Sequence, residues 1–272
     1  MYKNSHILAF FASITWMLFI FSAFKGFHLW YAGFVFFFWL ALAALNYRHT
    51  TSLWLAKNRT RRFLEFYTVL FVVGFIADYV IGQHVADLWS YPYYTSLFDW
   101  VRLYVIIYPF GGLSILELSF FLGNLFHEKF VLLPKVHSTL AHSVDFLDDV
   151  VDATLFLLLS GGLVIYFFNS SYQFTEVVVY TFFVWTVLTT IKLALHLRHG
   201  IHWLAIFITV LFVSILLHEI PNTVAFEWKY HTAIMLNTPI MQIPLWVIIG
   251  WYVMLLAMYR LWIRVVLNRK DL

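Results

Sequence analysis

Apolar runs about as long as a bilayer is thick govern what this chain can become. They lie near 6–24, 28–47, 63–82, 101–123, 152–169, 174–195, 202–219 and 243–264. A helix rises about 1.5 Å per residue, so roughly 20 such residues cross a hydrocarbon core of about 30 Å. The runs are too long for strands and lack strict alternation. Composition agrees: 62% of the residues are hydrophobic, 21% aromatic and 11% charged, whereas soluble domains carry about 25% charge. So few charges cannot cover a water-facing surface. The expected fold is all-α, one integral membrane domain over residues 1–272 built as a polytopic bundle of about eight transmembrane helices. The first run is expected to stay as a helix and not to be cleaved as a signal, since no clear small-residue cleavage site follows it.

Basic residues gather in alternate connections. Arg48, Lys57, Arg59, Arg61 and Arg62 follow the second run, Lys192 and Arg198 mark the end of the sixth, and Arg264, Arg269 and Lys270 close the chain. The connection after the third run carries Asp87 and Asp99 instead. By the positive-inside rule both termini are cytoplasmic, in what is expected to be a prokaryotic plasma membrane. The net charge of +3 therefore reads as topology, with membrane lipids as partners and no nucleic acid. The chain has no cysteine, which excludes disulfides, iron–sulfur clusters and thiolate zinc sites. Phosphate-loop, dinucleotide and nucleophile-elbow motifs are absent, and no cofactor is expected.

One pattern occurs twice. The third run ends in FIADYVIGQHVADLWSYPYY and the seventh in ILLHEIPNTVAFEWKYHTA. Each has an ionisable group at the helix end, Asp78 in one and His218 with Glu219 in the other. Each then has an acid (Asp87, Glu227) just before a Trp-x-Tyr triplet, Trp89/Tyr91 and Trp228/Tyr230, and a proline (Pro109, Pro244) near the next helix. The copies lie four runs apart. They point to a parallel 4+4 repeat, with halves 1–130 and 131–272, related by an axis along the membrane normal.

Charges near a helix centre in a bilayer cost about 2.5–3.5 kcal/mol each, so they are rarely idle. Asp78, Glu219 and His218 are accordingly catalytic candidates, with Trp89, Tyr91, Trp228 and Tyr230 as substrate-binding rings. The plain alternative is interfacial solvation within an aromatic belt. Glu117 is a further candidate inside the fourth run, roughly 24 Å along that helix from Val101 and so at a different depth. Pro109-Phe110-Gly111-Gly112 is expected to break this helix, as transporter helices are broken at binding sites. His49, His127, His137, His142, His196, His199 and His202 share the cytoplasmic side and suit iron or zinc, but no His-His doublet occurs and no metal site is assigned. Asp145, Asp148, Asp149 and Asp152 resemble a magnesium–diphosphate motif without the second copy it needs.

At the two Trp-x-Tyr segments the chain resembles membrane-integral carotenoid enzymes, the small lycopene cyclases and the carotenoid 1,2-hydratases. The matching pieces are Asp78 with Trp89-Ser90-Tyr91, Glu219 with Trp228-Lys229-Tyr230, the proline-led stretch Ile243 to Trp251, and Leu116 to Phe121. The resemblance covers about half of the chain. The cyclases' paired glutamates are missing, since Glu117 has no acidic neighbour. The resemblance implies a cofactor-independent isoprenoid cyclase, hydratase or isomerase. A carboxylic acid, Asp78 or Glu219, would protonate a double bond of an apolar isoprenoid-type molecule, and aromatic faces would hold the cation. The rival readings are a proton-coupled transporter or non-enzymatic membrane subunit, and a histidine-metal oxidase.

Overall fold

The computed structural model describes residues 2–47, 51–126, 175–196, 199–231, 239–240 and 243–266, with 147, 149–150, 152–154, 156–157, 160–161 and 164 between the second and third of these stretches. Regular structure there is helical apart from two short ribbons. Among the described residues, five helices are long and apolar enough to cross a membrane: Asn4–Phe24, Thr60–Val85, Leu97–Leu125, Gly200–Ala225 and Leu245–Val265. Their outer faces are apolar. Phe10, Phe11, Leu18 and Phe21 of the first are each at least 60% exposed, a surface that suits lipid and would associate in water.

Helix α1 (Tyr2–Phe24) stops where Gly26 takes a left-handed φ of 79°, a conformation that costs glycine no Cβ clash. α2 (Tyr31–Leu45) packs on α1 so closely that a Cβ on Gly33 would overlap the Phe19 ring. α2 has 15 residues, about 22 Å of helix, and is shorter than the 28–47 span expected. The reason lies at its ends. The Tyr31 N–H donates to Glu227 and the Asn46 amide donates to Glu117, so both termini are pinned inside protein. Ten of its residues are buried, which makes it a core helix.

After α3 (Ser52–Asn58), α4 (Thr60–Gly74) runs into a π-helical segment, Phe75–Val85. α5 (Leu97–Val101) opens on a capping box in which Ser96 Oγ accepts from the Asp99 N–H and Asp99 accepts from the Ser96 N–H. It continues through a second π-helical segment, Arg102–Ile107, into α6 (Tyr108–Leu125). The break expected at Pro109 is absent, because the helix is continuous from Leu97 to Leu125. A proline ring collides with the carbonyl four residues back and leaves it without a donor. Here the preceding turns widen, with the Tyr108 N–H reaching the Leu103 carbonyl, and Tyr67 Oη donates to the freed Val105 carbonyl.

α7 (Thr175–His196) occupies the sixth expected span, while the fifth lies largely outside the described residues. α8 (Gly200–Ser214), a third π-helical segment (Ile215–Glu219) and α9 (Ile220–Ala225) form one continuous helix. Pro221 again follows the widened turns. α10 (Leu245–Val265) starts directly after Pro244. α6 lies centrally, with Leu113 and Leu116 fully buried beside Trp203 and Phe207 of α8 and Tyr259 and Trp262 of α10. Gly112 lets Met258 of α10 approach its backbone.

Candidate functional site

The two Trp-x-Tyr segments are neighbours. Strand β1 (Trp89–Ser90) pairs antiparallel with β2 (Lys229–Tyr230), Trp89 opposite Tyr230 and Ser90 opposite Lys229. The middle residues of the two triplets therefore face each other. One further bond, from the His231 N–H to the Leu88 carbonyl at 2.8 Å, extends the ribbon.

Asp78 sits in the first π-helical segment and is buried. Its Oδ1 accepts from Trp89 Nε1 at 2.5 Å, from Tyr91 Oη at 2.9 Å and from Tyr108 Oη. Its Oδ2 accepts from Tyr104 Oη at 2.7 Å and Gln83 Nε2 at 2.6 Å. Five donors use both oxygens, so a proton placed on either one would displace a donor. Gly82 makes the arrangement possible, because a Cβ there would occupy the space of the Trp89 indole. Burial, and then the Asp78 charge, push the Tyr91 phenol well above its ordinary value, which keeps it a donor.

Glu219 ends the third π-helical segment and is equally buried. Tyr230 Oη donates to its Oε1 at 2.7 Å, and Trp251 Nε1 donates to the same oxygen at 2.6 Å. Trp228 Nε1 donates in turn to Tyr230 Oη at 2.8 Å. Oε2 receives neither of the Glu219 bonds. The two acids are joined through rings. Trp89 stacks on Trp246 at 6.1 Å, and Trp246 meets Tyr230 edge-on at 5.4 Å.

His218 faces the other way, into a cage of rings. Phe34 lies 5.0 Å from it, Trp251 4.7 Å and Tyr31 5.4 Å by ring centroid. Its Nδ1 is 2.5 Å from Tyr31 Oη.

The remaining acids separate. Glu227 accepts from Tyr94 Oη at 2.6 Å, from the Tyr31 N–H at 3.0 Å and from Arg102 at 3.4 Å. Burial raises its pKa to about 7, against the opposing hydrogen bonds and Arg102. Asp87, the acid before the first Trp-x-Tyr triplet, is exposed and pairs with His231 at 2.8 Å. Glu117 is not brought into the Asp78–Glu219 neighbourhood. Its Oε1 accepts from the Ser52 N–H (2.7 Å) and Ser52 Oγ (2.5 Å), and its Oε2 accepts from Asn46 Nδ2 (2.9 Å), which ties α6 to the connection after α2. Asp152 pairs with Arg260 and Arg264 and accepts from Trp185 Nε1. Asp145, Asp148, His49, His127, His137 and His142 lie outside the described residues. Among the described residues no three His, Asp or Glu converge as metal ligands.

Sequence reasoning missed Tyr104 and Tyr108 on Asp78, and Tyr31 and Trp251 on the His218–Glu219 pair. Trp100, Tyr104 and Tyr108 recur at helical spacing and stack in a column, 6.3 and 5.7 Å apart. That recurrence within an apolar run was the readable signal. Trp251 and Tyr31 carried none. No protein-family model, curated protein or solved structure matches this chain.

Proposed function

We propose that this protein is a membrane enzyme that protonates a double bond of an apolar isoprenoid-type lipid, in the manner of a cyclase, hydratase or isomerase, with Glu219 as the acid. The carrying observation is the one-sided hydrogen bonding of Glu219: two donors on Oε1 and neither on Oε2. A proton on Oε2 can leave with the Tyr230 and Trp251 bonds to Oε1 undisturbed, and Trp228 is a third donor to the carboxyl. The carboxylate left behind is met by Tyr230 and Trp251, which are already in place. The proton forms a C–H bond with one alkene carbon, and the neighbouring carbon becomes a cation. The faces of Trp228, Tyr230 and Trp251 stabilise such a cation. Attack of a second double bond on the cation forms the C–C bond of a ring and moves the cation to the next carbon. Loss of a proton from an adjacent carbon to Glu219 then gives the cyclic alkene. The same loss without ring closure gives a shifted double bond, and addition of water with loss of its proton to Glu219 gives a hydrate. No electrons are gained or lost. Asp78, with both oxygens occupied, anchors the ribbon that positions Tyr230.

The same proposal includes eight spans in a parallel 4+4 repeat. In support, the β1–β2 register is the one a two-fold axis between Ser90 and Lys229 would generate, and each half carries its acid on a π-helical segment. The transporter reading drew on a broken fourth helix and on an intramembrane Glu117; the helix is continuous, and Glu117 accepts from Ser52 and Asn46.

The test is expression in a polyene-producing host, with lipid extracts compared by mass spectrometry. The wild type should yield a product of unchanged mass or one water heavier. Glu219→Gln should abolish it, and Asp78→Asn should reduce it together with the amount of folded protein. Undiminished product from Glu219→Gln would end the proposal.

A further inference from the structure

Ser214 and His218 lie one turn apart on the helix that ends at Ala225, and each keeps a polar atom without a partner. Ser214 Oγ and His218 Nε2 are both buried and make no hydrogen bond among the described residues. The hydroxyls of Ser114, Ser119, Thr190 and Thr209 all turn back onto a carbonyl three or four residues earlier, the ordinary solution for a hydroxyl within a helix. Ser214 does not. Tyr31 Oη has no other partner among the described residues than His218 Nδ1, so its proton goes to Nδ1 and the imidazole hydrogen is on Nε2. A buried donor left unmade costs about 1–3 kcal/mol, and here two polar groups on one helix face stand open. Around His218 are rings from two other helices, Phe34 and Phe38 of α2 and Trp251 of α10. Trp251 packs on the His218 ring and also donates to Glu219, so these polar atoms lie beside the acid.

We infer that Ser214 and His218 bind an oxygen atom at the end of the lipid, a hydroxyl or carbonyl, so that the ligand is an oxygen-bearing isoprenoid and not a plain hydrocarbon. The inference rests on the reading above that the ligand is an apolar lipid, and it deepens that reading. His218 Nε2–H donates to the oxygen. Ser214 Oγ donates to a carbonyl, or accepts from a hydroxyl. The rings of α2 and α10 cover the adjoining hydrocarbon. In this arrangement His218 is a binding residue, and Glu219, the next residue in the chain, meets the double bond. A site built to hydrogen-bond an oxygen discriminates strongly against the analogue that lacks it, because its own polar groups are then stranded.

The test uses the full chain purified in detergent. It is incubated with an equimolar mixture of geranylgeraniol and the hydrocarbon in which hydrogen replaces the hydroxyl, and the lipid retained after gel filtration is quantified by mass spectrometry. The wild type should retain the alcohol over the hydrocarbon by about tenfold or more. Ser214→Ala, a minimal change that leaves the helix intact, should cut the ratio several-fold, and His218→Phe should bring it close to one while hydrocarbon retention persists. Ser114→Ala, whose hydroxyl is already satisfied, should leave it unchanged. Equal retention of both probes, retention of neither, or a ratio insensitive to Ser214→Ala and His218→Phe would each overturn the inference. Retention does not require turnover. A protein that discriminates the alcohol but never protonates a double bond would sink the proposed reaction and leave this site standing.

Discussion

The backbone of Ser90 faces that of Lys229 across an antiparallel ribbon, so the midpoints of two distant Trp-x-Tyr triplets meet. Directly opposed residues in such a pair have Cβ atoms about 4.5–5.5 Å apart. The chain has no cysteine of its own. Ser90→Cys combined with Lys229→Cys should therefore form an intramolecular cross-link on mild oxidation or with a short bifunctional thiol reagent, seen as two proteolytic fragments that stay joined. Ser90→Cys with a cysteine at Lys57 should not. Failure of the first pair to link would contradict the ribbon.

Gly82 lies against the Trp89 indole with no room for a methyl group. Overpacking of this kind typically costs about 1–3 kcal/mol. Gly82→Ala should lower the thermal midpoint in detergent and push Trp89 away from Asp78. Trp89→Phe should relieve part of that loss in the double variant, and additive losses would show that the two residues do not share this contact.

Glu117 gathers two donors from Ser52 and one from Asn46. Glu117→Ala strands both Ser52 donors in a dry interior and leaves Asn46 only its bond to the residue 117 carbonyl, and should cost about 3 kcal/mol or more. The predicted result is a large fall in thermal midpoint, with unchanged product per folded molecule. A variant of normal stability that has lost activity would instead make Glu117 catalytic.

The Glu227 carboxyl has its folded pKa raised to about 7, chiefly by burial. An unfolded glutamate titrates near 4.3, so between these values the folded state binds more protons than the unfolded one. By linkage, stability falls as pH rises from about 4.5 to 7 and levels off above. The loss is on the order of 3 kcal/mol. Thermal midpoints across this window should drop more steeply for the wild type than for Glu227→Gln. Parallel curves for the two proteins would remove Glu227 as the cause.

How much of this was readable beforehand depends on how local each signal is. Long apolar runs announce helices, since length and composition act within one segment, and five of them appear as membrane-length helices. Asp78 with Trp89 and Tyr91, and Glu219 with Tyr230, were legible because short spacing places acid and ring on one hairpin. The rest was not local. α2 ends early because Glu227 and Glu117, far away in the chain, bind its two ends. The helix through Pro109 stays whole because Tyr67, on another helix, takes up the Val105 carbonyl. Trp251 joins Glu219 only after α10 has docked. Glu227 and Asp87 both stand just before a Trp-x-Tyr triplet, yet one is buried and the other exposed, and only Glu227 has Tyr94 and Arg102 as donors.

The widened turns from Phe75 to Val85 have one more consequence. A π turn accommodates an additional residue within a helix that otherwise continues. Removing one residue just before Asp78 would let the segment relax to ordinary α-helical winding without unravelling either end. Each residue advances an α-helix by about 100°, so the carboxylate would swing away from Tyr104, Tyr108 and Trp89 while the span survived. The number of residues in this stretch thus works as an aiming device: chain length here decides where the acid points, independently of whether the helix forms.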